Sequence, residues 1–200
     1  MKQKIKLSTS VAIFIISSLL ISGCTTKKTT DTNMDLNTKP DFSSQSSVTQ
    51  SFSETNTNPV VLLKTKNGEI LLKLYQDKAP NTVANFIKKA NDGFYNGLTF
   101  HRVEQDFVAQ GGDPLGNGTG GGDIKSEINN IPFVRGTIGL ARANNIEISN
   151  DSQFFICLTT QKCQGLTSLY VNFGEVISGL DVLDKIKIGD KIIEITTKTK

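Results

Sequence analysis

The only histidine of this 200-residue chain, His101, stands beside Arg102 in FHRVEQDFVAQGGD, residues 100–113. Histidine is the usual proton carrier near pH 7. The pair therefore offers two chemistries: proton transfer through His101, or a fixed cationic donor at Arg102. Arginine is scarce, since only Arg102, Arg135 and Arg142 of the 22 basic residues are not lysine. A guanidinium presents five donors in a planar fork and keeps its charge. Arg102, Gln110 and Gln153 each fall in a strand-like run beside Phe100, Phe107, Phe154 and Phe155. On a strand, alternate side chains share a face. If Arg102 faces a groove, alternation predicts Phe100 on the same face and His101 turned inward. It likewise groups Val108 with Gln110, and Gln153 with Phe155. The resulting set is Arg102, Gln110, Gln153 and Phe155. Ordinary sheet residues would satisfy the same alternation.

Other chemistries find less support. No G-x-S-x-G elbow or cysteine-nucleophile signature accompanies His101. GNGTGG (116–121) fits the letters of a dinucleotide loop, but Asp113-Pro114 precede it and no helical periodicity follows. It reads as a surface loop. One histidine and three scattered cysteines predict no metal site. The cysteines also make no disulfide framework: Cys157 reads as a small core residue in an apolar strand and Cys163 as a loop residue, while a secreted chain's compartment would permit a bond between these two.

The elements that must position these side chains are mostly short strands. VVLLKT (60–65) and EILLKLY (69–75) flank an Asn-Gly hairpin signal. LTFHRV (98–103), DFVAQGG (106–112), GTIGLARA (136–143), SQFFICL (152–158), YVNFGEV (170–176) and KIIEITTK (191–198) supply six more. Val83, Phe86, Ile87 and Ala90 fall on one helical face, opened by Pro80-Asn81 and closed by Gly93. A second helix starts near Ser178 or Gly179 and carries Leu180, Leu183 and Ile186. Eight strands and two helices predict a mainly β fold: a closed antiparallel sheet that the helices plug or flank.

This domain is expected over residues 59–200, behind two segments of a different kind. MKQKIK, an apolar run and Leu20-Ile21-Ser22-Gly23-Cys24 read as a signal peptide over residues 1–23. Those five residues resemble a bacterial lipobox, which implies cleavage before Cys24, its lipidation, and secretion across the cytoplasmic membrane to a lipid-anchored state. Residues 24–58 then form a Ser/Thr/Asn-rich tether, too polar to offset its ordering entropy. Without Lys2, Lys4 and Lys6, the remaining basic residues equal the 19 acidic ones. That balance carries no electrostatic footprint for nucleic acid.

FHRVEQDFVAQGGD, GTGGGD, GTIGLARA, DSQFFI and LYVNFGEVISGLDVLDKI occur in an order that resembles the cyclophilin-type peptidyl-prolyl isomerases. NGEILLKLYQDKAPNTVANFI resembles that family's first hairpin and helix. The resemblance covers residues 59–200 and implies a closed eight-stranded antiparallel barrel flanked by two helices. It implies a rotamase that turns X–Pro bonds in proline-containing polypeptides without a cofactor, here assisting folding outside the cytoplasm as a monomer. By the same resemblance, Arg102 is the catalytic arginine. Phe107, Val108 and Phe155 line the proline pocket, with Leu166 and Tyr170 at its edge. Gln110 and Gln153 position the substrate backbone, and Ala141 and Arg142 lie along the groove for residues before proline. The family's best-known eukaryotic members carry methionine at Val108, tryptophan just before Leu166 and histidine at Tyr170. The absence of tryptophan implies weakened cyclosporin binding. Two rival readings are a proline-peptide binding module with little turnover and a structural surface lipoprotein. Arg102 together with Phe107, Gln110 and Phe155 favours the enzyme.

Overall fold

The computed structural model describes residues 58–198; the expected signal peptide, Cys24 and most of the expected tether lie outside them. The first hairpin forms where the sequence places it. β1 (Val60–Thr65) pairs antiparallel with β2 (Gly68–Leu74) across the two-residue link Lys66-Asn67. Alternation sends Val61, Leu63, Ile70, Leu72 and Leu74 inward, all 0% exposed. α1 (Pro80–Asn91) follows, with proline at its first turn, where the missing N–H costs nothing. It has no cap of its own. Instead the Glu127 carboxylate accepts from the backbone N–H groups of Asn81 at 3.1 Å and Thr82 at 2.8 Å, supplying the anion that a helix start favours.

The remaining strands are β3 (Arg102–Val103), β4 (Val108–Gly111), β5 (Asp123–Lys125), β6 (Thr137–Leu140), β7 (Ile148–Asn150), β8 (Phe154–Cys157), β9 (Asn172–Ser178) and β10 (Ile192–Thr197). Eight of the ten strands form one antiparallel sheet in the order β10-β1-β2-β9-β6-β8-β4-β3. β5 and β7, absent from the sequence reading, pair as a separate two-stranded ribbon. Both are three residues long, too short for a periodicity to register.

The expected closed barrel is corrected to an open half-barrel. β3 and β10 are the sheet's two edges, and no strand ladder joins them. The irregular stretches leading into them meet instead: Phe100 donates to Asp190 O, Gly189 to Phe100 O, Ile192 to Leu98 O and Gly97 to Ile192 O. A single bridge, Thr99–Lys191, lies between. LTFHRV is therefore not one strand. Its first half binds the 189–192 turn, and ladder geometry begins only at Arg102. That break also corrects the facing of Phe100. It does not share Arg102's face but is 0% exposed in the core, edge-on to Phe154.

The helices are fewer in residues than predicted. The second, α3 (Leu180–Leu183), is one turn starting after Gly179, although Leu183 and Ile186 are still buried. An unexpected turn, α2 (Thr160–Cys163), runs into a 3₁₀ turn over Gln164–Leu166. The core lies between the sheet's concave face and α1. There Phe86 packs within 5.2 Å of Phe173 and 5.1 Å of Tyr95, measured between ring centroids.

Candidate active site

β4 runs between β3 and β8, and this neighbourhood assembles the site. Register places Arg102 opposite Gln110, Gln110 opposite Phe155, and Phe155 opposite Gly139. Directly opposed residues share a face of a sheet. The neighbouring rung, Ala109–Ile156–Ile138, is 0% exposed and fills the barrel core. So Arg102, Gln110 and Phe155 point away from that core, as alternation within each true strand requires. Val108, opposite Cys157, joins them.

Arg102 at the sheet edge is exposed, whereas Val108 and Phe155 do not face open solvent. A second, smaller apolar cluster of Val108, Phe133, Phe155, Cys157 and Cys163 forms over them, with Phe107, Leu166 and Tyr170 at its margin. Phe155 stacks on Phe133 at 5.5 Å and meets the Tyr170 edge at 5.6 Å. Gly139 lies under both phenylalanines. A Cβ there would come within 2.7 Å of each ring, so only glycine allows this close approach. The cluster leaves a pocket of about 170 Å³ whose lining includes Arg102, Phe107, Val108, Gln110 and Phe155. Ala141, Arg142, Leu166 and Tyr170 complete it. The volume suits one small apolar group rather than a drug-sized ligand.

Polar groups at the rim are tied in a directed chain. Arg102 Nη1 donates to Gln110 Oε1 at 3.0 Å, and Gln110 Nε2 donates to Gln153 Oε1 at 3.0 Å. Gln153 Nε2 donates in turn to Gly120 O at 2.8 Å. Gln153, 3% exposed, stands behind the pocket and reaches it through Gln110. The other edge of the guanidinium engages Glu104, with Nε at 3.0 Å and Nη2 at 2.5 Å from Oε1. Three of the five guanidinium N–H groups are thereby used, and two remain to donate elsewhere. The Phe107 ring centroid is 5.7 Å from Arg102 Cζ. At the opposite rim, Arg142 Cζ lies 4.5 Å over the Tyr170 ring, while its Nε donates to Leu169 O at 2.9 Å.

His101 is half-buried, and both of its ring nitrogens are shielded without a hydrogen-bond partner among the described residues. Burial, helped by the neighbouring Arg102 charge and opposed by Asp113, holds its pKa below the ordinary histidine value. The imidazole is therefore neutral at pH 7 and lines no part of the pocket. The GNGTGG segment is a loop with no helix behind it, held by Asp113, whose carboxylate accepts from the N–H groups of Leu115, Asn117 and Gly118.

The structure decides the cysteine pairing that the sequence leaves open. Cys157 and Cys163 are joined by a disulfide, with Cα atoms 6.2 Å apart. The helical turn α2 carries Cys163 back over β8, a folding-back that a six-residue separation does not reveal. Sequence reasoning also missed Glu104, Phe133 and Gly139. Glu104, two residues after Arg102 on the same face, could have been found by period-2 logic. Phe133 and Gly139 become neighbours of Phe155 only in three dimensions. A larger groove of about 560 Å³ lies by β5 and β7, lined by Lys125, Ser126, Ile128, Ile146, Glu147 and Ile148. It has neither the aromatic floor nor an arginine, so size and chemistry disagree. The smaller pocket has the stronger claim.

Comparison with known proteins places the chain in a family. The model of the cyclophilin type peptidyl-prolyl cis-trans isomerase/CLD family matches residues 60–199. A peptidyl-prolyl cis-trans isomerase of Synechococcus elongatus is 42% identical over 142 residues, covering 69% of this chain and 95% of its own. Peptidyl-prolyl cis-trans isomerase B of Bacillus subtilis is 43% identical over 130 residues, covering 64% of this chain and 90% of its own. A crystal structure of a Cryptosporidium parvum cyclophilin type isomerase, in the presence of the dipeptide Ala-Pro, superposes with a TM-score of 0.65 at 28% identity. It covers 70% of this chain and 99% of that one. The chain therefore belongs to the cyclophilin-type peptidyl-prolyl cis-trans isomerases and is an isomerase of that type.

Proposed function

We propose that Arg102 is the catalytic donor and that the adjoining pocket takes the proline ring of an extracytoplasmic polypeptide. One observation carries this reading: a guanidinium restrained by Glu104 and Gln110 at the mouth of a small apolar pocket, with N–H groups to spare. Partial double-bond character sets a barrier of roughly 18–20 kcal/mol to rotation about X–Pro. In the twisted state the prolyl nitrogen lone pair leaves conjugation and accepts a hydrogen bond. A fixed donor there stabilises the transition state more than either planar state. Phe107, Val108 and Phe155 hold the ring and exclude water, with Leu166 and Tyr170 closing the edge. Gln110 orients the substrate backbone, held from behind by Gln153, and Ala141 and Arg142 border the path of residues before proline. No proton changes place, so a neutral His101 is no handicap.

The lipobox-like Leu20–Cys24 run and the polar tether support a lipid-anchored enzyme outside the cytoplasm. The Cys157–Cys163 disulfide supports an oxidising compartment. There a monomeric isomerase would accelerate the proline steps that slow folding by tens of seconds or more.

A protease-coupled assay on a short X–Pro peptide tests the activity assignment. Arg102→Ala should lower kcat/KM by about 10²–10³, the cost of removing one preorganised donor. A variant as fast as wild type removes Arg102 from the mechanism. Retained peptide binding with no wild-type turnover would favour the binding-module reading. Mass spectrometry of the mature amino terminus tests the anchor: an acylated Cys24 is expected, and an intact Met1 overturns it.

A further inference from the structure

We infer that the Cys157–Cys163 disulfide fastens the wall of the proline pocket, so that full affinity for proline peptides requires an oxidising compartment. The inference rests on the pocket assignment proposed above. Cys157 lies on β8 opposite Val108, on the pocket side of the sheet. Cys163 is 0% exposed and packs in the same cluster as Val108 and Phe155. Three residues later Leu166 lines the pocket, and Leu166 O accepts from the N–H groups of Leu169 and Tyr170. The position of Cys163 therefore sets both Leu166 and the approach to Tyr170.

The segment has little else to hold it. Between Thr159 and Ser168 the only apolar side chains are Cys163 and Leu166. Its other anchors are hydrogen bonds near its two ends, Thr159 Oγ1 to Asp106 O at 2.8 Å, Arg135 N to Thr160 Oγ1 at 3.0 Å and Phe133 N to Thr167 Oγ1 at 3.1 Å, and one exposed ion pair, Lys162–Asp106 at 3.8 Å, of the kind that contributes little. A wall with so small a core of its own gains its order from the covalent link. Reduction by a dithiol breaks the S–S bond and gives two thiols, while the reductant closes to its own disulfide with two electrons and two protons transferred. Both sulfurs are buried, so reduction must await local opening of the wall, and the oxidised form persists once made.

The test uses the full chain and a protease-free NMR exchange assay on an X–Pro peptide, because coupling proteases have disulfides of their own. Alkylation with peptide mass spectrometry should find Cys157 and Cys163 blocked until reduction. In the reduced chain, and in Cys157→Ala/Cys163→Ala, KM should rise about threefold to tenfold with kcat within about twofold, the signature of lost binding rather than lost chemistry. The double variant should no longer respond to reductant. Free thiols at Cys157 and Cys163 in the untreated chain, or a KM unchanged by reduction, overturn the inference. If the double variant fails to fold, the reduced wild type decides, with its circular dichroism confirming the fold at assay temperature. Failure of the underlying pocket assignment reads differently: the oxidised wild type would then show no more turnover than Arg102→Ala.

Discussion

Arg102 and Glu104, two residues apart on one face at the β3 edge, form a side-on pair in which Glu104 Oε1 accepts from both Nε and Nη2 of the guanidinium. Gln110 takes Nη1 from the other side. Both members of the pair are exposed, at 44% and 53% of their side-chain surface. Such a pair contributes about 0.2–1 kcal/mol. Its consequence is directional: it selects which N–H groups face the pocket. Glu104→Ala should lower kcat up to about fivefold while KM and melting temperature stay near wild type. Glu104→Gln, which keeps an acceptor oxygen, should recover part of the loss. Steady-state kinetics on an X–Pro peptide check this, and a fully active Glu104→Ala would show that Gln110 alone restrains the arginine.

The Arg102–Gln110–Gln153–Gly120 chain predicts a graded response. Gln110→Ala breaks two hydrogen bonds at the rim, a loss of about tenfold in kcat/KM. Gln153→Ala removes one of the two donors to the Gly120 carbonyl, leaving Asn150 Nδ2 at 2.9 Å, and frees Gln110 to turn. The double variant should be less impaired than the product of the two single effects, because both act through one chain. Additive effects in a double-mutant cycle would argue against coupling.

Gly139→Ala should be costly for a reason visible only in three dimensions. The added methyl would meet the Phe133 and Phe155 rings at 2.7 Å. Overpacking of this kind costs about 1–3 kcal/mol. A displaced Phe155 should also raise KM. Denaturant unfolding and peptide titration together check the prediction, and an unchanged midpoint would mean that the rings yield without strain.

Acid should destabilise the domain through three buried or partly buried carboxylates. Burial opposes ionisation of Asp113, Glu127 and Asp190, but hydrogen bonds outweigh it and lower all three pKa values. The donors are backbone N–H groups of the 115–118 loop for Asp113, those of Asn81 and Thr82 for Glu127, and Lys66, Lys187 N and Asn67 for Asp190. A carboxylate lowered on folding adds stability above its unfolded pKa, about 4, and loses it as pH falls through the folded value. The melting temperature should therefore hold from pH 7 to about 5 and fall below about 4. Glu127→Gln should reduce that slope. An unchanged melting temperature at pH 3 would contradict it.

His101 should be dispensable for chemistry. With its pKa lowered by burial, it stays neutral above the ordinary histidine value. The rate should be flat from about pH 6.5 to 8, and His101→Gln should stay within about threefold of wild type. A pH profile that loses a histidine-range limb in His101→Gln would reinstate it.

Residue types and periodicity alone determined a mainly β domain beginning near Pro59, the β1–β2 hairpin, the amphipathic face of α1, and a set of outward residues around Arg102. These are local properties, since strand alternation and helical spacing act over a few residues. The resemblance then named the isomerase family and the nine residues that line the pocket. Tertiary structure decided what depends on contacts between distant segments. The seam between 97–100 and 189–192 left the sheet an open half-barrel and sent Phe100 into its core. The Cys157–Cys163 bond needed the turn of α2, and the glycine requirement at Gly139 needed two phenylalanine rings brought from 133 and 155. A short-range pattern records which side of its own strand a residue takes. It does not record which remote segment arrives to cover that side.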